Sequence, residues 1–553
     1  VEREFRSTMI HQAYIEPAAA TATWSSGGTL TVHSSTQGSF TMRGQIAELL
    51  KMPESRIRVI PTEVGGAFGG KINTYVEVPS ALLSRKSGRP VKTVMERHEV
   101  FTSTGPTSGA VMRIKMAADS GGRLVAATAE LCYEAGAFPG SPADSAASNI
   151  FAVYDIPAGR IDGYDVVVNK PRTTPYRAPG LTNAVWAAEQ VVDEIATRLN
   201  MDPVALRSAN CAKEGTKTIS GMTHKSIGCR EVLEALQATE HYKSALTGPN
   251  RGRGVAVGHW GNWGAQSSAA ISVNFDGTVS LVSGSVDLTG TRTSLAMIAA
   301  DVLGIPLDSV SAIVGDTASV GYTQVTAGSR TTTATSRAVT IAAEEVLIQM
   351  KKRAAAVWEV PSDKVIYQDG AFQAQGHSLT FAELAGELES TGGPVAGVGT
   401  IDVTDWGGVI GAHIADVEVD PETGKVKVIR YSVVQDVGRA IHPGQIEGQM
   451  HGGVAQGIGW ALYEGYQWDA EGHVLNANLL DYKLPTALDI PFIETHIVEV
   501  PYPAHPLGIR GVGEVPIVHP AAAVANAIHA ATGARVTELP MTPGRVREAG
   551  RSV

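Results

Sequence analysis

TMRGQIAELLKMPESRIRVI, residues 41–60, has a distant counterpart in SLAMIAADVLGIPLDSVSAI, residues 294–313. Each opens with apolar residues at helical spacing, breaks at a proline (Pro53, Pro306) and ends in a short strand-like run, RIRVI or SVSAI. A glycine-bearing loop follows each within a few residues. This echo predicts two lobes of related architecture, joined near the polar stretch LTGPNRGRG at 246–254.

The rest of the chain alternates helices and hairpins. Residues 182–199 have amphipathic helical spacing, and Asp202-Pro203 opens another helix, because proline is tolerated in a first turn. SAAISVNFDGTVSLVSG (268–284) reads as a hairpin around Asp276-Gly277, and HIADVEVDPETGKVKVIRYSVVQ (413–435) as a second turning at DPETG. A long helix is expected over 331–357 and a last one after Pro520. With 553 residues the chain is too long for one compact domain. The expected fold class is α+β, two related lobes of mixed sheets and helices with the site between them. The lobes are assigned to residues 1–245 and 255–540, leaving a C-terminal tail over 541–553.

Composition narrows the function. A hydrophobic content of 43% with 18% charge belongs to a packed globular protein. The net charge of −10 argues against a nucleic-acid groove, which needs a basic face. No apolar run is long enough to span a membrane, and VEREFRSTMI has no signal-peptide core, so a cytoplasmic protein is expected. Cys132, Cys211 and Cys229 are too scattered for a disulfide framework or an iron–sulfur site. The 60 glycines gather in short loops, which implies close backbone approach to something.

Three of those loops carry polar residues suited to chemistry. Gly65 to Lys71 in VGGAFGGK fits most of the phosphate-loop pattern, but Ile72 stands where the Mg²⁺-binding hydroxyl belongs, so an ATPase is a poor reading. The loop still offers backbone N–H groups to an anion or an oxo ligand; the alternative is a tight turn with Phe68 in the core. HGGVAQGIG (451–459) contains GxxxGxG without the preceding buried strand that a dinucleotide fold requires. It reads instead as a small-residue helix start from Gly448, in which the Gln456 amide needs a partner. In GVGE, Glu514 sits on a glycine-flanked loop where desolvation would raise its pKa towards that of a useful base. Arg177 lies in the rigid turn PYRAPG, and AGSR (327–330) precedes a threonine-rich helix start able to bind an anion or simply to cap. No nucleophile elbow and no HExxH is present, and the 15 histidines show no metal-ligand spacing.

In chain order, STQ (35–37), VGGAFGGK, PYRAPG, TAGSR, EGQMHGGVAQGIG and GVGE together resemble the molybdopterin-binding subunit of the xanthine dehydrogenase/aldehyde oxidase family. The resemblance runs from His11 to about Ala531. It implies that Gln37 and the Phe68-Gly69 backbone approach the molybdenum's oxo ligand and the pterin, and that Gln456 contacts the cofactor from the second lobe. Gly328, Ser329 and Arg330 would line its pterin and phosphate portion. Arg177 would stabilise negative charge in the substrate pocket, and Glu514 would be the general base. It also implies a molybdenum–molybdopterin cofactor, in the cytosine dinucleotide form, held through the pterin rather than by protein ligands. The implied reaction is hydroxylation of an aldehyde or N-heteroaromatic compound with oxygen from water. Electrons would leave through [2Fe–2S] clusters and FAD carried by a separate iron–sulfur subunit and a flavin subunit, in a dimer of heteromers.

The sequence departs from the family in three places. Ile72 replaces a glutamate that grips purines, and Ala178 replaces the cysteine of copper–molybdenum carbon monoxide dehydrogenases; both disfavour those substrates. SVDLTG (285–290) is one residue short and lacks the family's Gly-Gln-Gly, which puts one cofactor contact in doubt. The family's usual N-terminal domain is expected to be missing, by truncation or separate encoding. Two alternatives stay open at this point: a reductase of an aromatic acyl thioester, and a non-catalytic cofactor-binding paralogue.

Overall fold

The computed structural model describes residues 1–405 and 407–551. Strand β1 (Glu2–Ser7) leads into the hairpin β2 (Ala19–Trp24) and β3 (Leu30–Ser34). Helix α1 (Ser39–Leu50) crosses to β4 (Ile57–Pro61), parallel to β3, and α2 (Glu77–Ser87) returns to β5 (Val91–Val94), antiparallel to β2. After α3 (Arg97–Ser103), β6 (Ala110–Ala118) pairs with β1 and β7 (Leu124–Gly136) pairs with β6. Helix α4 (Ala143–Asn149) then leads to β8 (Gly159–Val167), parallel to β7, and α5 (Leu181–Arg198) closes the unit.

Helices α6 (Pro203–Ala209), α7 (Cys229–Ala238) and α8 (Glu240–Lys243) connect to a second unit of the same plan. It runs β9 (Arg251–Gly261), the hairpin β10 (Ala265–Val273) and β11 (Val279–Ser283), α9 (Thr291–Leu303), β12 (Val310–Val314) parallel to β11, and α10 (Ser336–Val357). A small three-stranded insertion, β13 (Ile366–Gln368), β14 (Ala371–Ala374) and β15 (His377–Thr380), follows with α11 (Phe381–Gly386). The plan resumes with β16 (Ala396–Val403) on β10, then β17 (Gly408–Val419), β18 (Val426–Asp436), α12 (Pro443–Leu462), β19 (Ile493–Val498) and α13 (Pro520–Thr532). The chain ends with β20 (Glu538–Leu539), which adds to β1, and α14 (Pro543–Arg551), where the sequence suggested only a tail. Sheet orders β4-β3-β2-β5 and β12-β11-β10-β16 correspond, as do β1-β6-β7-β8 and β9-β17-β18-β19.

The echo at 41–60 and 294–313 is thus the legible fragment of a repeat spanning whole lobes. Its conserved plan has a local cause: α1 ends on Lys51 at φ 53° and α9 on Gly304 at φ 61°, the left-handed stop that ends many helices. Pro53 and Pro306 then begin single 3₁₀ turns that deliver the chain into β4 and β12. Helix α12 starts at Pro443, five residues ahead of the expected Gly448. Proline suits a first helical position, and the His442 ring accepts from the Gln445 N–H at 3.3 Å.

One apolar core joins the two larger sheets across the lobes, with Phe5, Tyr133 and Trp186 from one side and Val257, Ile414 and Val524 from the other. The sheets β12-β11-β10-β16 and β4-β3-β2-β5 each have a smaller core of their own. Helix α13 lies on β9 so closely that a Cβ on Gly252 or Gly254 would sit 2.1 Å from Ala527 O or 2.2 Å from Ala523 O. This contact fixes the loop that precedes α13, which carries Glu514.

Candidate active site

Gln37 is the seam between the lobes. It precedes α1, and its Oε1 accepts from Gly69 N (2.9 Å) and Lys71 N (3.1 Å), while its Nε2 donates to Thr326 O (3.0 Å) in the second lobe. The VGGAFGGK and TAGSR loops are therefore pinned on one buried amide. Gly69 has φ 108°, and a Cβ there would lie 2.3 Å from Pro175 O, so only glycine brings this loop against PYRAPG. Phe68 sits at φ 52° with its ring 38% exposed, not in the core as the turn-only reading had it. Its carbonyl accepts from Arg177 N at 2.9 Å.

Arg177 is 6% exposed and reaches across to the second lobe. Its Nε donates to Gly513 O (2.7 Å), one terminal nitrogen to Gln456 Oε1 (2.9 Å) and the other to Gln449 O (2.9 Å). Beside it Tyr176 stacks on Trp460 of α12, with centroids 5.1 Å apart and planes 8° apart. Burial lowers the guanidinium pKa to about 10, opposed by Tyr176 and Glu514, so the charge persists at neutral pH.

Glu514 lies beyond Gly513 on the same loop. Its Oε1 accepts from Ala178 N at 3.0 Å and its Oε2 from Ser329 Oγ at 3.3 Å. Burial pushes its carboxyl above the ordinary value, against the opposing pull of the Ala178 N–H, the Arg177 charge and Ser329. Ala178 (φ 55°) and Ser329 (φ 57°) both hold left-handed backbone, an expensive conformation for residues with a Cβ. The structure thus brings Gln37, Phe68, Gly69, Arg177, Ala178, Ser329, Gln456 and Glu514 to one junction.

Other site candidates lie differently. The Arg330 guanidinium is fully buried, donating to the carbonyls of Gly264, Ala265, Gln266 and Gln324 and to Ser267 Oγ. It shapes the TAGSR turn from inside rather than reaching outward to a phosphate. Gly328 carries that turn at φ 61°, and its carbonyl accepts from Trp263 N at 2.8 Å. Lys71 pairs with Glu16 (2.7 Å) and lies 5.1 Å from the Tyr14 ring centre, rather than reaching out as a phosphate-loop lysine would. Ile72 is half-buried, its carbonyl accepting from Gln45 Nε2 at 3.3 Å. In HGGVAQGIG, Gly453 and Gly457 are where α12 meets Pro516 and Pro520; a Cβ would stand 2.4 and 2.5 Å from those rings.

Comparison with known proteins places this arrangement. Two family models, each described as a molybdopterin cofactor-binding domain, match residues 1–211 and 228–491. The chain is 30% identical over 575 residues to the xanthine dehydrogenase molybdenum-binding subunit of Escherichia coli O157:H7, covering 99% of this chain and 76% of that protein. The chain belongs to the xanthine dehydrogenase/aldehyde oxidase family, as a molybdenum-binding large subunit. It is also 28% identical to the aldehyde oxidoreductase molybdenum-binding subunit of E. coli K12, over 96% of this chain and 72% of that one. Quinoline 2-oxidoreductase from Pseudomonas putida 86 superposes with a TM-score of 0.92 at 27% identity, covering 100% of this chain and 76% of that chain. Like these relatives, the subunit is a molybdenum-dependent oxidoreductase.

The residues of this molybdenum-binding subunit fit its cofactor. Among the described residues no three His, Cys, Asp or Glu side chains converge on a metal position. Space is left beside the reactive side chains. A Cβ on Gly452 would meet only Arg177, at 3.7 Å, and one on Gly513 only Ser329 Oγ, at 3.7 Å. Ser39 Oγ, in the first turn of α1 beside Gln37, is buried without a partner. Sequence reading missed Gln449 and Asn262. The Asn262 amide brackets Gly511, accepting from its N–H at 2.8 Å and donating to its carbonyl at 3.2 Å. It also missed Gln445, whose amide lies against Gly290: a Cβ there would be 2.2 Å from Nε2.

Proposed function

We propose that the subunit catalyses oxidative hydroxylation of an aldehyde or N-heteroaromatic substrate, with oxygen from water and Glu514 as general base. The observation that carries this is the Glu514 carboxylate itself: at the lobe junction, held at both oxygens, and raised in pKa by burial. What the molybdenum–molybdopterin group supplies when bound is two-electron redox chemistry. The chain's part is proton management and orientation. Glu514 accepts the proton that the attacking oxygen must lose, and the Arg177 charge stabilises negative charge developing on the substrate. Gln37, the Phe68-Gly69 backbone and Gln456 face the cofactor, with Gly328 and Ser329 on its pterin side.

Apolar Ile72 and methyl-sized Ala178 favour an uncharged aldehyde or heteroaromatic ring over a purine or carbon monoxide. The names of the aldehyde and quinoline relatives support this class. The same reading puts the cofactor in its cytosine dinucleotide form. It assigns the [2Fe–2S] clusters to an iron–sulfur partner subunit and FAD to a flavin subunit, in a cytoplasmic dimer of heteromers.

Replacing Glu514→Gln in the assembled, molybdenum-loaded complex should leave molybdenum content and thermal unfolding unchanged and cut kcat by about 10²–10⁴-fold. In the wild type, activity needs the carboxylate. The kcat/KM profile should therefore fall as pH drops through a pKa above the ordinary glutamate value of 4.5. Turnover retained in the Gln variant removes Glu514 from the mechanism.

A further inference from the structure

We propose that Ser329 is a positioning residue for Glu514, a reversible hydrogen-bond partner that fixes Oε2 as the oxygen on which the proton is taken up. The inference rests on the reading of Glu514 as general base. Two contacts carry it. Ser329 Oγ donates to Glu514 Oε2 at 3.3 Å and accepts from the Glu514 backbone N–H at 3.0 Å, gripping side chain and main chain together.

The two carboxylate oxygens are held by partners of different kinds. Ala178 N–H, on Oε1, can only donate, so it serves Oε1 as a carboxylate or carbonyl oxygen but cannot accept from a proton placed there. A hydroxyl can donate to the carboxylate and, after rotation, accept from the acid. A proton on Oε2 can therefore keep a hydrogen bond to Ser329, whereas a proton on Oε1 would find no acceptor in the Ala178 N–H. The charged group facing the carboxylate is the Arg177 guanidinium, which is fixed on Gly513 O.

Ser329 is held in place firmly enough to act this way. Its φ of 57° is costly for a residue with a Cβ, and its carbonyl lies against Gly511. Gly511 backs onto Ser329 O so closely that a Cβ would stand 2.1 Å from it, and Gly511 is itself bracketed by Asn262. A strained backbone maintained beneath a two-way hydroxyl contact is what positioning a base requires.

The test compares Ser329→Gly, which removes the hydroxyl but suits the left-handed backbone, with Ser329→Asn, which returns a side-chain donor and tolerates that backbone. In the loaded complex the Gly variant should keep its molybdenum and hold KM within about twofold. Its kcat should fall about tenfold and the acid limb of kcat/KM should move to higher pH, because the carboxylate has lost a donor. The Asn variant should bring the acid limb back towards its wild-type position. Difference infrared titration of the cofactor-free subunit gives a second readout. The carboxylic-acid band that Glu514→Gln abolishes should titrate at higher pH in Ser329→Gly. A wild-type limb and band in the Gly variant overturn the proposal. So does loss of molybdenum with a wild-type profile in the loaded fraction, which would make Ser329 a cofactor contact alone. Full turnover by Glu514→Gln instead overturns the general-base reading on which the proposal rests.

Discussion

Arg177 shows how one side chain joins structure to chemistry. Its guanidinium ties Gly513 O, Gln456 Oε1 and Gln449 O of the second lobe to a turn of the first. A lysine keeps the charge but has no planar fork and cannot reach three diverging acceptors. Arg177→Lys should therefore lower stability by about 2–4 kcal/mol, the scale of charged hydrogen bonds lost from a buried site, and depress kcat/KM more than Tm alone explains. Thermal unfolding beside steady-state kinetics on molybdenum-matched samples checks this; a variant that melts and turns over normally would make the clamp dispensable. At this scale the sequence was partly legible. Glu514 and Arg177 stood out because glycine- and proline-flanked polar residues are aimed at confined places. Gln449 did not, because it contributes a backbone carbonyl that no side-chain pattern signals. Arg330 misled: TAGSR looks like an anion turn, but nothing in five letters shows that its guanidinium turns inward onto carbonyls.

At the scale of elements, glycine marks where a helix must lie directly on a strand. Gly252 and Gly254 alternate along β9 on the face that receives α13, and Gly397 and Gly399 do the same on β16 against α10. Gly254→Val would drive a branched side chain into the backbone of Ala523 and Asn526, neither of which can rotate away. The expected cost is about 3 kcal/mol or more, at the upper end for overpacking, read as a fall in Tm. Because α13 follows the Glu514 loop, kcat should fall further in the fraction still folded at assay temperature. An unchanged Tm would mean that α13 is free to slide. The sequence reading located α10 and α13 but placed no strand at β9 or β16, and it could not see the contact, since a glycine in a strand signals a bulge as readily as a helix seat. GxxxGxG in α12 was read as a small-residue helix start rather than a dinucleotide loop, and its Gly453 and Gly457 make room for Pro516 and Pro520.

For the whole molecule, the twenty-residue echo was the visible part of a two-lobe repeat. The rest stayed hidden because equivalent strands share position rather than residue type, and the β13–β15 insertion separates α10 from β16 in one copy only. Repetition alone suggests two independent lobes; the packing argues otherwise. Helix α5, the last element of the first unit, is buried from Leu181 to Ala196, including Glu189, Asp193 and Glu194. Some of their partners come from the second unit: Val257 N donates to Glu189 at 2.8 Å, and Arg535 pairs with Asp193 at 2.7 Å. Residues 1–245 expressed alone would expose the apolar face of α5 and leave these carboxylates short of partners, each a cost of about 1–3 kcal/mol. That is a large share of the roughly 5–15 kcal/mol that stabilises a typical folded domain. The fragment should therefore lack fixed tertiary structure, with little near-ultraviolet circular dichroism and no cooperative melting, while the full chain melts its shared core in one transition. If the fragment instead melts cooperatively at a temperature near that of the full chain, the shared core is not what holds the first lobe together, and the lobe junction that carries Arg177 and Glu514 is a docking surface between two self-sufficient bodies.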